Sequence, residues 1–169
     1  MLGVNSENFT WNLKPGEEFN APEALLLFSA NGFDGLSAQS HAFLVNHVIR
    51  SPWKHVKRPI LVNNWEATYF DFNDDKIYDI AKAASKLGIE MLVLDDGWFG
   101  KRNNARSSLG DWFVNTEKLG DFTKLVKKIN RLGMKFGLWF EPECISEDSD
   151  LYRAHPDWIL HAPQRASCH

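Results

Sequence analysis

Several features that mark common functional classes are scarce or missing in this sequence. Its 169 residues carry a formal net charge of −3 and no cluster of lysine or arginine, which argues against nucleic acid or an anionic membrane as a partner. Two cysteines, Cys144 and Cys168, are too few for a disulfide framework in a chain of this length. No segment approaches the roughly 20 apolar residues of a membrane-spanning helix. A globular protein is therefore expected.

The amino-terminal residues and the glycines exclude two further classes. The stretch MLGVNSENFT has neither the basic segment nor the apolar stretch of a secretory signal peptide, so we expect a cytoplasmic location. No glycine-rich phosphate loop follows any predicted strand, which argues against a nucleotide-binding fold. Tryptophan, by contrast, is abundant. Seven indoles among 169 residues suit the C–H faces of sugar rings as well as they suit a core.

The first third of the chain predicts two strands and a helix. Apolar residues alternate with polar ones over residues 9–13, and residues 24–28 form a short apolar run between turn residues, so both segments are expected to be strands. Apolar residues at helical spacing over 36–48 predict a connecting helix. Pro52 and Pro59 then interrupt the chain, and we place a domain boundary there.

Beyond that boundary a strand and a helix alternate. The helices are expected to begin at Asp74 or Asp75 and at Asp121, which are favoured N-cap residues, and to end near Gly88 and Gly133. Near-continuous apolar strands that alternate with helices predict a parallel sheet covered by helices, which is an α/β fold. The three expected strands are residues 60–62, 89–94 and 134–138.

Acidic and aromatic residues follow each of these strands, and nothing comparable precedes them. Folds with parallel sheets bind ligands at the carboxyl ends of their strands, so this asymmetry predicts an active site there. Carboxylates accept hydrogen bonds from sugar hydroxyls, indoles stack on sugar rings, and the set contains no histidine. A carbohydrate site therefore fits better than a zinc or iron site. The set comprises Trp65, Glu66, Asp95, Asp96, Trp98, Trp139, Glu141 and Glu143.

Simpler structural roles stay open for several of these residues. Asp95 could merely cap the loop that follows its strand. Because adjacent residues of a strand point to opposite faces, Asp95 and Asp96 do not read as the acid and nucleophile of a glycosidase. Trp98 and Trp112 could either pack within loops or contact a ligand, and Cys144 is expected to be a small buried residue.

Five motifs follow one another along the chain: NNWEA (63–67), LDDGWFG (94–100), RSSLGDW (106–112), GLWFEPE (137–143) and HPDW (155–158). Together they closely resemble consecutive motifs of glycoside hydrolase family 36, the bacterial-type α-galactosidases or melibiases. The upstream segment FTWNLKPG (9–16) looks like the end of that family's amino-terminal β-sandwich domain. The resemblance therefore covers essentially the whole chain.

The resemblance implies a (β/α)8 barrel that hydrolyses terminal α-linked galactose with retention, as in melibiose and raffinose. The chain would comprise the end of the β-sandwich domain (1–33), a linker helix (34–57) and about the first three β/α units of the barrel (58–169). It also implies a small α-galactoside as substrate, a homo-oligomeric whole enzyme, and no cofactor or metal. In the implied site, the two aspartates accept hydrogen bonds from galactose hydroxyls, including the axial one, and the tryptophans line the pocket. The implied substrate-binding residues are Trp65, Asp95, Asp96, Trp139 and Glu141.

The family's catalytic pair has no counterpart in this sequence. In the family, the nucleophile is an aspartate in a Lys-Trp-Asp-type motif on the fourth strand, and the acid/base aspartate lies further along the barrel; neither motif occurs among the 169 residues. We therefore expect a fragment of an enzyme that does not hydrolyse glycosides by itself.

Three alternatives remain open at this stage. One is an α-N-acetylgalactosaminidase or a raffinose-synthase-like member of the same family, and another is a non-catalytic galactose-binding fragment. The third is a metal-dependent barrel hydrolase that uses Asp95, Asp96 and Glu141.

Overall fold

The computed structural model describes residues 3–7 and 9–160, and the chain divides into two compact units, Met1–Lys57 and Arg58–His169. The first unit contains helix α1 (Gly32–Phe43), which passes directly into a π-helical turn (Leu44–Val48) and is followed by a 3-10 turn (Pro52–His55). The connecting helix expected from the apolar spacing is present, and it begins earlier than predicted, at Gly32.

The two strands predicted for the first unit are wrong. Residues 9–13 and 24–28 have irregular backbone conformations, and no described residue of this unit belongs to a strand. Their apolar side chains are largely exposed, with Leu26 at 79% and Phe28 at 82%. An extended segment becomes a strand only when a neighbour satisfies its backbone groups, so alternation alone was not enough. The assignment of residues 1–33 to the end of a β-sandwich domain stays a prediction.

The second unit is built around a three-stranded sheet in the order β1, β2, β3, with every pair parallel. Val62 lies opposite Leu92, and Leu92 lies opposite Phe136, so the three strands present these side chains on one face. The prediction of an α/β fold with a parallel sheet is confirmed. The strands are β1 (Leu61–Asn63), β2 (Met91–Leu94) and β3 (Lys135–Leu138).

Two helices connect the strands and pack against each other: α3 joins β1 to β2, and α5 leads into β3. Right-handed crossovers place both on the same face of the sheet. In the described part of the chain, no helix is long and apolar enough to cross a membrane. The helices of this unit are α2 (Trp65–Thr68), α3 (Asp74–Lys86), α4 (Thr116–Leu119), α5 (Phe122–Asn130) and α6 (Asp150–Ala154), followed by a 3-10 turn (Pro156–Trp158).

The core lies between the sheet and these two helices. Ile77 of α3 and Ile129 of α5 are fully buried, as are Leu92 and Leu94 of the central strand. Met91 and Val93, which point to the other face of β2, are only half buried. The helix-covered face of the sheet is therefore its hydrophobic side. Packing on this face holds the three strands in register, so their carboxyl ends lie at one edge.

The two long helices of this unit begin at good capping residues, one of which was predicted. The Asp121 carboxylate accepts a hydrogen bond from the backbone N–H of Lys124 at 2.9 Å, as expected for the N-cap of α5. The N-cap of α3 is Asn73, whose side chain accepts from the N–H of Lys76 at 2.9 Å, so the prediction of Asp74 or Asp75 was wrong. Both aspartates lie inside the first turn, where they complement the helix dipole instead.

The cap of α3 is open to a direct test by substitution. We expect Asn73→Ala to lower the free energy of unfolding by about 1 kcal/mol, because it leaves an N–H at the start of the helix without its partner. Asp75→Asn, which only weakens a charge–dipole interaction, should cost less than about 0.5 kcal/mol. Urea unfolding followed by circular dichroism measures both, and a larger loss in Asp75→Asn would return the capping role to the aspartates.

Candidate functional site

The carboxyl ends of the three strands bring the predicted residues to one edge of the sheet. Asn63 ends β1, Asp95 follows β2, and Trp139 follows β3. The backbone N–H of Trp139 donates to the carbonyl of Leu94 at 3.0 Å, which continues the ladder one residue past the end of the strand. The loop after β3 is thereby held beside the first residue after β2.

The Asp95 carboxylate is half buried and is oriented by its neighbours. Its Oδ1 accepts the backbone N–H of Asp96 at 2.7 Å, and its Oδ2 accepts the side-chain amide of Asn63. The backbone N–H of Asp95 donates to Oδ1 of Asn64 at 2.8 Å. Two asparagines at the end of β1 therefore fix both the backbone and the carboxylate of Asp95, while part of that carboxylate still faces the edge of the sheet.

Asp96 points away from Asp95 into the protein and is only 7% exposed. Arg102 meets it with two hydrogen bonds of 2.9 Å, from Nε to Oδ1 and from Nη2 to Oδ2. Such bidentate, charge-assisted pairs are among the strong hydrogen-bonded contacts between side chains. The expectation that the two aspartates do not share a face fits this arrangement: one carboxylate faces the edge and the other is paired inside.

Trp65 opens α2 directly after β1 and is half buried. Its backbone N–H donates to Oδ1 of Asn63 at 2.7 Å. The rings of Tyr69 and Phe70 meet its indole edge-on, with centroid distances of 5.2 and 5.1 Å. Asn63 thus supports Trp65 with one atom of its amide and Asp95 with the other, and two aromatic rings limit the orientations of the indole.

Glu66 is exposed and makes a contact of its own. The hydroxyl of Tyr69 donates to its carboxylate at 3.1 Å, and this hydrogen bond, together with the charge of Glu66, raises the pKa of Tyr69. Tyr69 is also one of two described non-glycine residues with positive φ, at 45°. Glu66 therefore interacts with the aromatic support of Trp65 rather than with the double aspartate.

Trp98 packs within the loops that follow β2 and β3. It is 3% exposed, and its indole Nε1–H donates to the backbone carbonyl of Trp139 at 2.9 Å. Its ring meets those of Phe99 and Phe140 at 5.2 and 5.1 Å. Trp112 is half buried in the same cluster, 4.4 Å from Phe99. Of the two roles left open for these tryptophans, the structure favours loop packing for Trp98, whereas Trp112 packs in the same cluster and also lines a cavity beside Cys144. The cluster ties the loop after β2 to the loop after β3.

Glu141 is half buried beyond Trp139, whereas Glu143 and Cys144 are exposed. The prediction of a buried Cys144 was wrong, since Pro142 and Glu143 carry the chain outward from the end of β3. A hydrogen bond to the Glu141 carboxylate raises the pKa of the Cys144 thiol. A cavity of about 500 Å³ lies beside this segment, lined by Glu143, Cys144 and eight further residues, and none of the five predicted substrate-binding residues lines it.

The strongest supports of the site were not singled out in the sequence. Asn64 is fully buried, and its amide nitrogen also donates to the hydroxyl of Thr68 at 2.8 Å. Arg102 is the cation that pairs with Asp96, and a signal for it did exist. A carboxylate buried directly after a strand needs a partner of opposite charge, so a nearby arginine or lysine was to be expected.

Metal-ligating side chains do not cluster in the part of the chain that the structure describes. The described residues contain no group of three or more histidine, cysteine, aspartate or glutamate side chains able to hold an ion. The carboxylates of Asp95, Asp96 and Glu141 do not converge on one point: Asp96 turns inward to Arg102, and Glu141 contacts Cys144. The three-carboxylate arrangement that a metal-dependent hydrolase would use is therefore not formed in this geometry.

The comparison with known families agrees with this arrangement. The sequence profile described as melibiase matches residues 18–169. The chain belongs to the melibiase family. Since the match covers most of the chain, it includes both strand-end asparagines, the double aspartate and the segment after β3.

Characterised relatives of this melibiase chain are much longer than it is. It is 56% identical over 161 residues to the bifunctional alpha-galactosidase/sucrose kinase AgaSK of Mediterraneibacter gnavus, which covers 95% of this chain and 17% of that protein. It is 52% identical over 165 residues to alpha-galactosidase AgaA of Geobacillus stearothermophilus, covering 97% of this chain and 23% of that enzyme. The chain thus spans less than a quarter of either relative.

Solved structures match the fold as well as the sequence. The crystal structure of the GH36 alpha-galactosidase AgaA superposes with a TM-score of 0.89 at 52% identity, over 97% of this chain and 23% of that one. Substituted forms of the same enzyme, in complex with stachyose and with raffinose, match with TM-scores of 0.89 and 0.90. The α/β fold of this chain is therefore that of the corresponding part of a GH36 alpha-galactosidase.

Close packing around Gly97 provides a test of the loop that carries the two aspartates. Gly97 has φ +97°, and an added Cβ would lie 3.0 Å from the Phe70 ring and 3.3 Å from the Arg102 carbonyl. Gly133 is a matched control, because its φ is +79° but nothing lies within 4 Å of an added Cβ. We expect Gly133→Ala to cost about 1 kcal/mol of stability from backbone strain alone. Gly97→Ala should cost about 1–3 kcal/mol more, because of crowding.

Urea unfolding of both glycine variants measures the difference. Equal losses in the two proteins would mean that the loops after β1 and β2 are not in the close contact described above.

Proposed function

We propose that this chain is part of an α-galactosidase and carries one side of its galactose-binding site. The observation that carries the proposal is the Asp95 carboxylate, which is held by Asn63 and by the N–H of Asp96 at the sheet edge where Trp65 and Trp139 also lie. We further propose that the three β/α units are the first part of a (β/α)8 barrel. In that case residues 34–57 are a linker helix after the end of a β-sandwich domain.

The chemistry of Asp95 suits a sugar hydroxyl. An ionised carboxylate offers about four lone-pair positions, and the contacts from Asn63 and Asp96 occupy two of them. The positions that remain can accept hydrogen bonds from sugar hydroxyls without a change in the orientation of the carboxylate. Little conformational entropy is therefore lost when the sugar binds. A charge-assisted hydrogen bond of this kind contributes about 1.5–3 kcal/mol. Asp95 is thus the main candidate for selecting the axial hydroxyl of galactose.

The other proposed contacts are of two kinds. Trp65 and Trp139 supply apolar faces for the C–H side of the ring, and Glu141 supplies a second half-buried carboxylate beyond Trp139. Asp96 is the more recessed partner, since Arg102 already occupies part of its carboxylate. We propose that it presents its remaining lone pairs to a hydroxyl at the inner side of the site.

The reaction proposed for the whole enzyme requires groups that this chain does not provide. Retaining hydrolysis needs two carboxyl groups about 5–5.5 Å apart, one as nucleophile and one as acid/base. No Lys-Trp-Asp motif occurs in the 169 residues, and Asp95 and Asp96 are directed apart. The residues described here are proposed to bind and orient the sugar. They hold it in place without forming or breaking a bond.

The comparisons support α-galactosides as the substrate class over the alternatives within the family. The relatives described above are named alpha-galactosidases, and AgaA variants are described in complex with stachyose and raffinose. N-acetylgalactosaminidase or raffinose-synthase activity has no comparable support. A homo-oligomeric whole enzyme stays a prediction from the family resemblance.

Galactose binding by the chain itself tests the proposed site. We expect a Kd on the order of 1 mM, roughly −4 kcal/mol, because only one side of the sugar is contacted. Asp95→Asn should weaken binding by about 10- to 100-fold, through loss of a charge-assisted hydrogen bond. Asp79→Asn on the exposed side of α3 is the control and should leave the affinity unchanged. Saturation-transfer NMR with galactose and glucose measures all three proteins.

Equal binding of galactose and glucose, or full affinity in Asp95→Asn, would contradict the assignment of Asp95 to the axial hydroxyl.

Catalysis by the isolated chain is a separate question. We expect no hydrolysis of p-nitrophenyl α-galactoside by the purified protein, since the nucleophile and acid/base motifs are absent from its sequence. The release of p-nitrophenol over the uncatalysed rate measures this directly. Turnover that survives repurification and disappears in both Asp95→Asn and Glu141→Gln would mean that these carboxylates react with the substrate.

A further inference from the structure

Two cations outside the family motifs lie directly behind the double aspartate. Arg102 is 4% exposed, and Lys118, sixteen residues later in α4, is half buried. We propose that Arg102 and Lys118 are positioning residues that clasp the loop after β2 to the loop after β1, and so fix Asp95 and Asp96 relative to Trp65. This inference deepens the proposed function and rests on it for the identity of the ligand. The two side chains are called the clasp below.

Arg102 forms the inner half of the clasp. Its Nε and Nη2 hold the carboxylate of Asp96, and its Nη1 donates to the carbonyl of Ser107 at 2.9 Å. The guanidinium lies 5.8 Å from the ring centroid of Phe70 and 6.0 Å from that of Phe99. One ring belongs to the loop after β1 and the other to the loop after β2. The arginine is therefore fixed by both loops before any ligand arrives.

Lys118, in α4, forms the outer half. Its ammonium donates to three backbone carbonyls: that of Phe70 at 2.9 Å, and those of Gly97 and Arg102 at 3.3 Å. An ammonium has three N–H donors, so its hydrogen-bonding capacity is used in full. The charge also lies 4.8 Å from the ring centroid of Phe72. A single side chain thus joins the loop after β1 to two points of the loop after β2.

The environment of Lys118 fits a structural role, although burial disfavours its charged form. Burial lowers the pKa of its ammonium, and the charges of Asp96 and Asp71 act in the opposite direction. The hydrogen bonds of Lys118 go to backbone carbonyls and its charge lies over the Phe72 ring, so direct contact with a neutral sugar does not explain its position. Its three carbonyl contacts explain why it lies there, since they belong to loops that carry Trp65 and the aspartates.

The front of the same loops is held by other bonds, which makes the effect of the clasp specific. Asn63 and Asn64 hold Asp95 from the end of β1. Behind Asp96, Gly97 leaves no free space against Phe70. When the clasp is loosened, the sheet remains intact, but the segment from Asp95 to Gly97 gains freedom. Fixed geometry within about 0.5 Å is what a binding group of this kind needs.

Amide hydrogen exchange without ligand tests the clasp first. Lys118→Met keeps an unbranched side chain of nearly the same length and removes the ammonium group with its charge. Lys128→Met is the matched control, because Lys128 likewise covers an aromatic ring, Tyr78 at 5.1 Å, but lies on α5 away from these loops. We expect exchange at the amides of Asp95 and Asp96 to be at least about tenfold faster in Lys118→Met, with the amides of β2 unchanged.

A second variant keeps the test decisive if removal of a buried charge unfolds part of the protein. Arg102→Lys keeps the positive charge but cannot hold the carboxylate with two parallel bonds. It should give the same selective increase in exchange at Asp95 and Asp96. Faster amide exchange spread evenly over the second unit, or no faster exchange at the two aspartates, would mean that both cations only stabilise the protein in general. Either result would overturn the proposal.

Galactose titration of the same samples supplies the second readout. We expect about tenfold weaker binding in Lys118→Met. The loop that carries Asp95 is fixed beforehand in the wild type, whereas in the variant the sugar must order it, which costs binding free energy. In an Asp95→Asn background the same substitution should weaken binding no further, since the clasp acts through that loop. Selective exchange with unchanged galactose affinity would contradict the positioning role. Selective exchange in a chain whose wild type binds no galactose would support the clasp and overturn the proposed function.

Discussion

The buried ion pair between Arg102 and Asp96 is the contact on which the geometry of the site depends. A carboxylate that is 7% exposed would be strongly destabilising without a partner, and two adjacent carboxylates would also repel each other. Because Arg102 takes Asp96 into the protein with a bidentate contact, Asp95 can face the edge of the sheet alone. The pair is thus divided into an inner carboxylate that is largely engaged by Arg102 and an outer one that faces the sheet edge. The close packing of the loop between β2 and α4 follows from satisfying that inner charge.

The parallel sheet determines which residues this arrangement can combine. Crossover helices return each strand in the same direction, so the ends of β1, β2 and β3 lie side by side about 5 Å apart. That spacing lets Asn63 reach both Trp65 on its own chain segment and Asp95 on the next strand. An amide suits this task, because it donates through one atom and accepts through the other. Neither a carboxylate nor an ammonium at this position offers both functions at once.

What the sequence predicted well was local or imposed by topology. The three strands, the two long helices and the Asp121 cap follow from periodicity and capping preference, and the clustering at the carboxyl edge follows from parallel pairing. The wrong predictions concern features that depend on a distant segment, or positions where several neighbouring residues suit the same role equally well. Residues 9–13 alternate like a strand, yet strand formation depends on a partner segment that alternation does not specify. Three capping-competent residues occur in a row at 73–75, and propensity does not rank them. Lys118 was missed because its bonds go to backbone carbonyls, which leave no trace in a residue pattern.

The residues that hold Asp95 and Asp96 in place lie close together in the sequence, so their arrangement can form locally. The side chains that hydrogen-bond to Asp95 and Asp96 come from Asn63, Asn64 and Arg102, and Lys118 ties their loops together. These groups lie within two successive β/α units and are joined by hydrogen bonds to the two aspartates or to the loops that carry them. Recognition of a sugar by Asp95 then needs only that local geometry. Bond cleavage needs a second carboxyl at a set distance across the sugar, a relation that no local network can supply. Binding and reaction therefore make different demands on the fold, and the residues described here are proposed to meet the first.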